Sequence, residues 1–123
     1  MVRFLLTAAL VLGLVGGPVR AQTGASLDDS LQRLSEILGA LHYLRGLCNA
    51  PEGNKWRSEM QALVDAEAAN SDRRARMTAA FNRGYNGFQQ TYRTCTPAAE
   101  IAVRRYLEEG SKIAREVTAR YAN

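Results

Sequence analysis

Leu27, Leu31, Leu34, Leu38 and Leu41 recur at alternating spacings of four and three residues, and the same count reaches Arg45 and Cys48. That is the repeat of a helix packed along a seam. A chain carrying it must bury this helix against others. Three later segments share the period. Trp56, Met60 and Leu63 mark a second helix over Asn54 to about Ala69, with Glu67 at the next seam position. Met77, Phe81, Gly84, Phe88 and Cys95 mark a third, over Asp72 to Cys95. Ala99, Val103, Tyr106, Gly110, Ile113 and Val117 mark a fourth, and Tyr121 extends it.

Turn signals separate the four segments. Asn49-Ala50-Pro51-Glu52-Gly53 reads as a turn by its proline and glycine. Asn70-Ser71-Asp72 reads as a break followed by a new N-cap. Thr96 suits an N-cap, Pro97 the first helical position, and Glu100 the positive end of the helix dipole. Ser26 or Asp28 is expected to cap the first helix, after a flexible lead over Gln22 to Ala25. Strand-like alternation is absent. The pattern predicts an all-α domain, a four-helix up-down bundle with short turns and antiparallel sequential neighbours.

The first residues read as a targeting segment. Met1-Val2-Arg3 is a short basic start, Phe4 to Val15 an apolar run, and Gly16-Gly17-Pro18 a helix break. Val19-Arg20-Ala21 offers small residues for a signal peptidase, so residues 1–21 are expected to be a secretory signal cleaved after Ala21. The run is short for a membrane span, and no stable span is expected after cleavage. The mature chain, residues 22–123, is expected to be one small periplasmic domain. Loss of Arg3 and Arg20 lowers the formal charge from +4 to +2. Basic and acidic residues interleave, which favours a solvated surface over a nucleic-acid stripe.

An exported chain with two cysteines is expected to oxidise them together. The Cys48–Cys95 loop spans about 48 residues, for which the chain-entropy treatment gives roughly 4 kcal/mol. The C-x-x-C spacing of a redox-active pair is missing. Topology raises a conflict here. The first and third helices run the same way and both end in a cysteine. In a square bundle they are diagonal, with axes about 14 Å apart when neighbours are about 10 Å apart. Inward-facing Cα atoms would then lie about 9 Å apart, beyond disulfide reach. The bundle is therefore expected to be distorted, with helices one and three touching near Cys48 and Cys95.

Arg45 on a seam needs a carboxylate or several carbonyls, and Glu59 stands at the right height on an antiparallel second helix. An Arg45–Glu59 contact is expected. With His42 at the edge of the same face, these residues could also form a polar ligand notch. Glu67 is expected to pair with Arg74 or Arg73. A lone histidine with consumed cysteines provides neither a metal site nor haem attachment, and no catalytic constellation or cofactor motif is present. The segment from Phe81 to Tyr92 holds four aromatics, two glycines and several amides. Packing explains much of it, with Gly84 admitting a neighbouring helix. Tyr85, Asn86, Gln89 and Arg93 form a candidate partner surface, since tyrosine and arginine are favoured at interface hot spots.

The segments LHYLRGLC at 41–48, W-R-x-x-M at 56–60, FNRGY at 81–85 and YRTCT at 92–96 resemble a family of small exported alphaproteobacterial proteins catalogued as a domain of unknown function. The resemblance spans most of the mature chain and implies a cell-envelope location and a paired-cysteine helical domain. It brings no catalytic residue, substrate or cofactor. The expectation is a non-enzymatic periplasmic domain that binds another envelope component. The alternative is a small-ligand binder or minor cell-wall enzyme with its site near Arg45, His42 and Glu59. The apolar stripes are also compatible with a dimer.

Overall fold

The computed structural model describes residues 21–120, with side chains from Leu27 onward. It contains α1 (Ala21–Leu47), α2 (Lys55–Glu67), α3 (Ser71–Thr91) and α4 (Pro97–Ala119), with no strand among the described residues. The four expected helices are all present, in up-down order. The proposed signal peptide lies almost wholly outside the described residues.

Three boundaries differ from expectation. α1 already runs through residues 22–25, which contain no proline and no capping geometry to stop a helix. α3 ends at Thr91, four positions before Cys95, and Tyr92 is extended at φ −119° and ψ 123°. That extended exit carries the chain across to Cys48 and into the N-cap of α4. The Tyr43 hydroxyl donates to the Tyr92 carbonyl freed by the helix end. α1 closes at Leu47, with Asn49 left-handed at φ 58°. The Ala50 amide donates to the Arg45 carbonyl at 3.0 Å, and the Asn49 amide to Gly46 at 3.2 Å. Two carbonyls orphaned at the helix end are thereby satisfied, and asparagine tolerates the left-handed position.

Two N-caps follow the sequence, at Asn70 and Thr96, whereas Ser26 and Asp28 lie inside α1 instead of capping it. The Asn70 side chain accepts from the Arg73 amide at 2.8 Å. Thr96 Oγ1 accepts from the Ala99 amide at 3.1 Å, with Pro97 in the first turn.

α1 is the axle of the fold. Leu31, Ile37, Leu41 and Leu44 are almost wholly buried, and no residue from Ser30 to Arg45 is fully exposed. Burying each such side chain contributes about 1.5–3 kcal/mol. α2, α3 and α4 all pack on α1, while neither α2 nor α3 brings its backbone against α4. The leucine seam is thus one of several buried faces of α1. Another is made of small residues: Ser35, whose hydroxyl turns back to the Leu31 carbonyl at 2.7 Å, with Gly39 and Ala40.

That small face is where α3 lies. A Cβ added at Gly39 would stand 1.9 Å from the Phe81 carbonyl oxygen, and one at Gly84 would stand 2.0 Å from that of Glu36. Each helix presses its backbone into the gap left by the other's glycine. Asp28 holds Arg73 at 2.7 Å and Arg76 at 3.8 Å farther toward the N-terminal ends. Cys48 and Cys95 close the other end, with Sγ atoms 2.01 Å and Cα atoms 5.0 Å apart. The two parallel helices are direct neighbours along their length, which resolves the diagonal conflict.

Two alanine substitutions three residues apart should have opposite signs. Gly84→Ala meets backbone and should destabilise by about 3 kcal/mol, at the upper range for overpacking. Gly87 has nothing within 4 Å of an added Cβ, so Gly87→Ala should stabilise by about 1 kcal/mol through helix propensity. Urea unfolding of the oxidised protein measures both. Reduction of the disulfide, read in the same assay, should cost about 4 kcal/mol.

Candidate functional site

The expected notch at the disulfide end is not assembled. Arg45 pairs with Glu52 rather than Glu59: its Nε donates to Oε2 at 2.9 Å and its Nη2 to Oε1. Trp56 Nε1 donates to the same carboxylate at 2.8 Å. The cause is local. The left-handed turn at Asn49 folds residues 50–53 back beside the last turn of α1, so Glu52 reaches Arg45 before α2 begins. Glu59 instead borders a groove between α2 and α4. His42 points elsewhere again, with its ring 6.1 Å from that of Phe81 and 5.6 Å from that of Tyr85. Its Nδ1 is buried without a hydrogen-bond partner. Burial, reinforced by the nearby Arg57 charge, lowers its pKa. His42, Arg45 and Glu59 therefore face three different neighbours.

The candidate partner surface divides. Tyr85 packs edge-on against Tyr43 at 5.5 Å and is half-buried, so it helps to hold α3 on α1. Asn86, Gln89 and Arg93 are exposed. The stretch from Arg73 to Ala99 contains five arginines and no carboxylate. Chain-wide interleaving of charge hides this asymmetry, although a window over α3 alone exposes it.

Because the helices meet mainly through α1, clefts open between them. The groove between α2 and α4, about 540 Å³, has a floor of Leu34, Ile37, Leu38 and Leu41. A slot of about 510 Å³ lies between the end of α3 and the start of α4, lined by Phe88, Tyr92, Ile101 and Tyr106 with Arg33 and Arg105. A smaller cleft of about 240 Å³ separates α2 from α3.

Residues 26–121 match the family described as Protein of unknown function (DUF2385). The chain belongs to this family. The match takes in all of α2, α3 and α4, most of α1 and both cysteines. No curated protein and no solved structure matches the chain.

In this DUF2385 chain the aromatic slot is held in shape by ring contacts. Phe88 and Tyr92 stack at 6.0 Å, and Phe88 meets Tyr106 edge-on at 5.4 Å. Arg33 lies 5.5 Å above the Tyr106 ring and is fixed by Glu109 through bonds of 3.0 and 2.8 Å. That pairing raises the Arg33 pKa against the opposing effect of burial. Ile101, 41% exposed, is the exposed large hydrophobic side chain among the described residues. Glu67 meets α3 through its main chain, because its carbonyl accepts from Arg73 Nη1 at 3.1 Å while the Arg73 Nε is taken by Asp28. Among the described residues no three His, Cys, Asp or Glu side chains form a metal-ligand group. No described helix is long and apolar enough to cross a membrane.

The Arg45–Glu52–Trp56 cluster makes a pH prediction for the DUF2385 fold. The Arg45 hydrogen bond, with a second from Trp56, holds the Glu52 carboxyl at about 2, against an ordinary 4.5. A folded pKa below the unfolded one stabilises in full above about pH 4.5 and is lost as pH falls from there towards 2. Thermal midpoints measured from pH 6 to about pH 2 should therefore fall more steeply for the wild type than for Glu52→Gln. The two curves should converge at the acid end.

Proposed function

We propose that this chain is a non-enzymatic binding domain of the periplasm, exported by the leader at residues 1–21, and that it holds a protein partner of the cell envelope in the slot between α3 and α4. The observation that carries this reading is the slot itself. Aromatic side chains already packed against one another line it, and Ile101 stands open at its edge. Tyrosine, phenylalanine and arginine are the side chains enriched at energetic centres of protein interfaces.

Charge chooses the occupant. Two arginines and no carboxylate line the slot, and Arg105 has no ion-pair partner among the described residues. The complementary partner is a segment that inserts an apolar side chain and carries acidic residues beside it. Gln89 and Arg93 neighbour Phe88 and Tyr92 in sequence and extend the exposed polar margin. The preformed aromatic walls support binding with little ordering cost.

A photo-crosslinking residue at position 101, used in cells with an intact envelope, should trap one defined protein. The free complex with that protein should weaken at least about tenfold on Arg105→Glu, and also on Tyr92→Ala, as for interface hot spots. Glu116→Lys, on the remote end of α4, should leave it unchanged. Equal affinity for wild type and Arg105→Glu would overturn the reading, as would a trapped species consisting only of a second copy of this chain.

A further inference from the structure

α2 and α3 approach each other over only a short stretch, and the cleft between them is chemically unlike the other two. Met60, Val64 and Phe81 form its apolar floor. Its rim carries Arg57 and Gln61 from α2, and Arg74, Thr78 and Asn82 from α3. Thr78 and Asn82 follow Arg74 at four-residue steps, so the three share one stripe of α3, and Arg57 and Gln61 do the same on α2. No carboxylate lines the cleft. The nearby Asp65 is already engaged by Gln61 Nε2 at 2.8 Å.

The half-buried arginines of the fold include three that are matched, Arg33 by Glu109, Arg45 by Glu52 and Arg73 by Asp28. Arg57 and Arg74 are exposed and border one cavity, and neither guanidinium has an ion-pair or hydrogen-bond partner among the described residues. The positive field of Arg57 falls instead on His42, a second group that would gain from a negative charge nearby. Guanidinium forks, amides and a hydroxyl around a carboxylate-free hollow supply donors suited to tetrahedral oxygens.

We propose that the α2–α3 cleft binds an oxyanion, a phosphate or sulfate group that is free, carried on a small polar molecule or presented by a lipid headgroup, with Arg57 and Arg74 gripping it from opposite helices. The cleft shares no lining residue with the aromatic slot, so this site stands or falls apart from the protein-partner reading.

His42 is the one histidine of the sequence, which makes its imidazole a single-signal reporter. The experiment is an NMR titration of the oxidised domain with sodium sulfate, against sodium chloride at equal ionic strength. Sulfate should shift the His42 signal saturably and raise its pKa, because a bound anion cancels the Arg57 field. Arg74→Gln, remote from His42 on an exposed rim, should weaken sulfate binding about tenfold or more while leaving the thermal midpoint unchanged. Identical shifts in chloride and sulfate would overturn the proposal, and so would an unchanged sulfate affinity in Arg74→Gln. Displacement of sulfate by glycerol 3-phosphate assigns the site to a soluble phosphate. Sedimentation with phosphatidylglycerol vesicles but not phosphatidylcholine vesicles, lost in Arg74→Gln, assigns it to a headgroup. Sulfate saturation with neither leaves a free inorganic oxyanion as the ligand.

Discussion

Backbone-to-backbone contact between α1 and α3 is the constraint from which the other features follow. Gly39 and Gly84 let each helix rest against a carbonyl of the other. With α3 this close, α1 has no fully exposed residue from Ser30 to Arg45. α2 and α4 must then find separate places around it. They do so without bringing their backbones together, and the clefts described above are spaces left over. A bundle of evenly spaced helices would fill its centre with side chains. Here a central helix takes that place, and the unfilled volume is moved to the surface.

The helices, their order, the disulfide and two of the caps could be read from periodicity and punctuation, because most of those signals are local. The centrality of α1 was harder to see. Its leucine stripe advertises one buried face, whereas the face against α3 consists of Ser35, Gly39 and Ala40, residues that carry little hydrophobic signal. Gly84 was legible as an approach point, but its counterpart Gly39 was not, since pairing across helices is a tertiary fact. Arg45 shows a second limit. Height along an antiparallel helix pointed to Glu59, while the left-handed turn at Asn49 brought a loop residue, Glu52, much nearer. A turn that reverses the chain within a few residues outranks a register argument over a whole helix.

Function divides along similar lines. The residues that looked most chemical in the sequence, His42, Arg45 and Tyr85, are largely occupied with holding helices together. Those that remain open have ordinary identities: Ile101 and Arg105 on α4, Arg57 on α2, Arg74 on α3. Their meaning comes from where neighbouring helices stand apart. The missing carboxylates between Arg73 and Ala99 are the one sequence signal for them, and it places α3 at the border of both proposed sites.

The interlocked glycines also act as a ruler. A parallel helix pair has no hairpin turn to set its register, and α2 alone links the two members. If α3 slid along α1 by one turn, a side chain would replace Gly84 where it meets the Glu36 carbonyl, and Cβ would collide with backbone. The same slide would carry the two sulfurs about 5.4 Å out of step, one helical pitch. The register that the glycines select is the one that brings Cys48 beside Cys95. The native disulfide thus seals at one end a register that the glycines set along the helices.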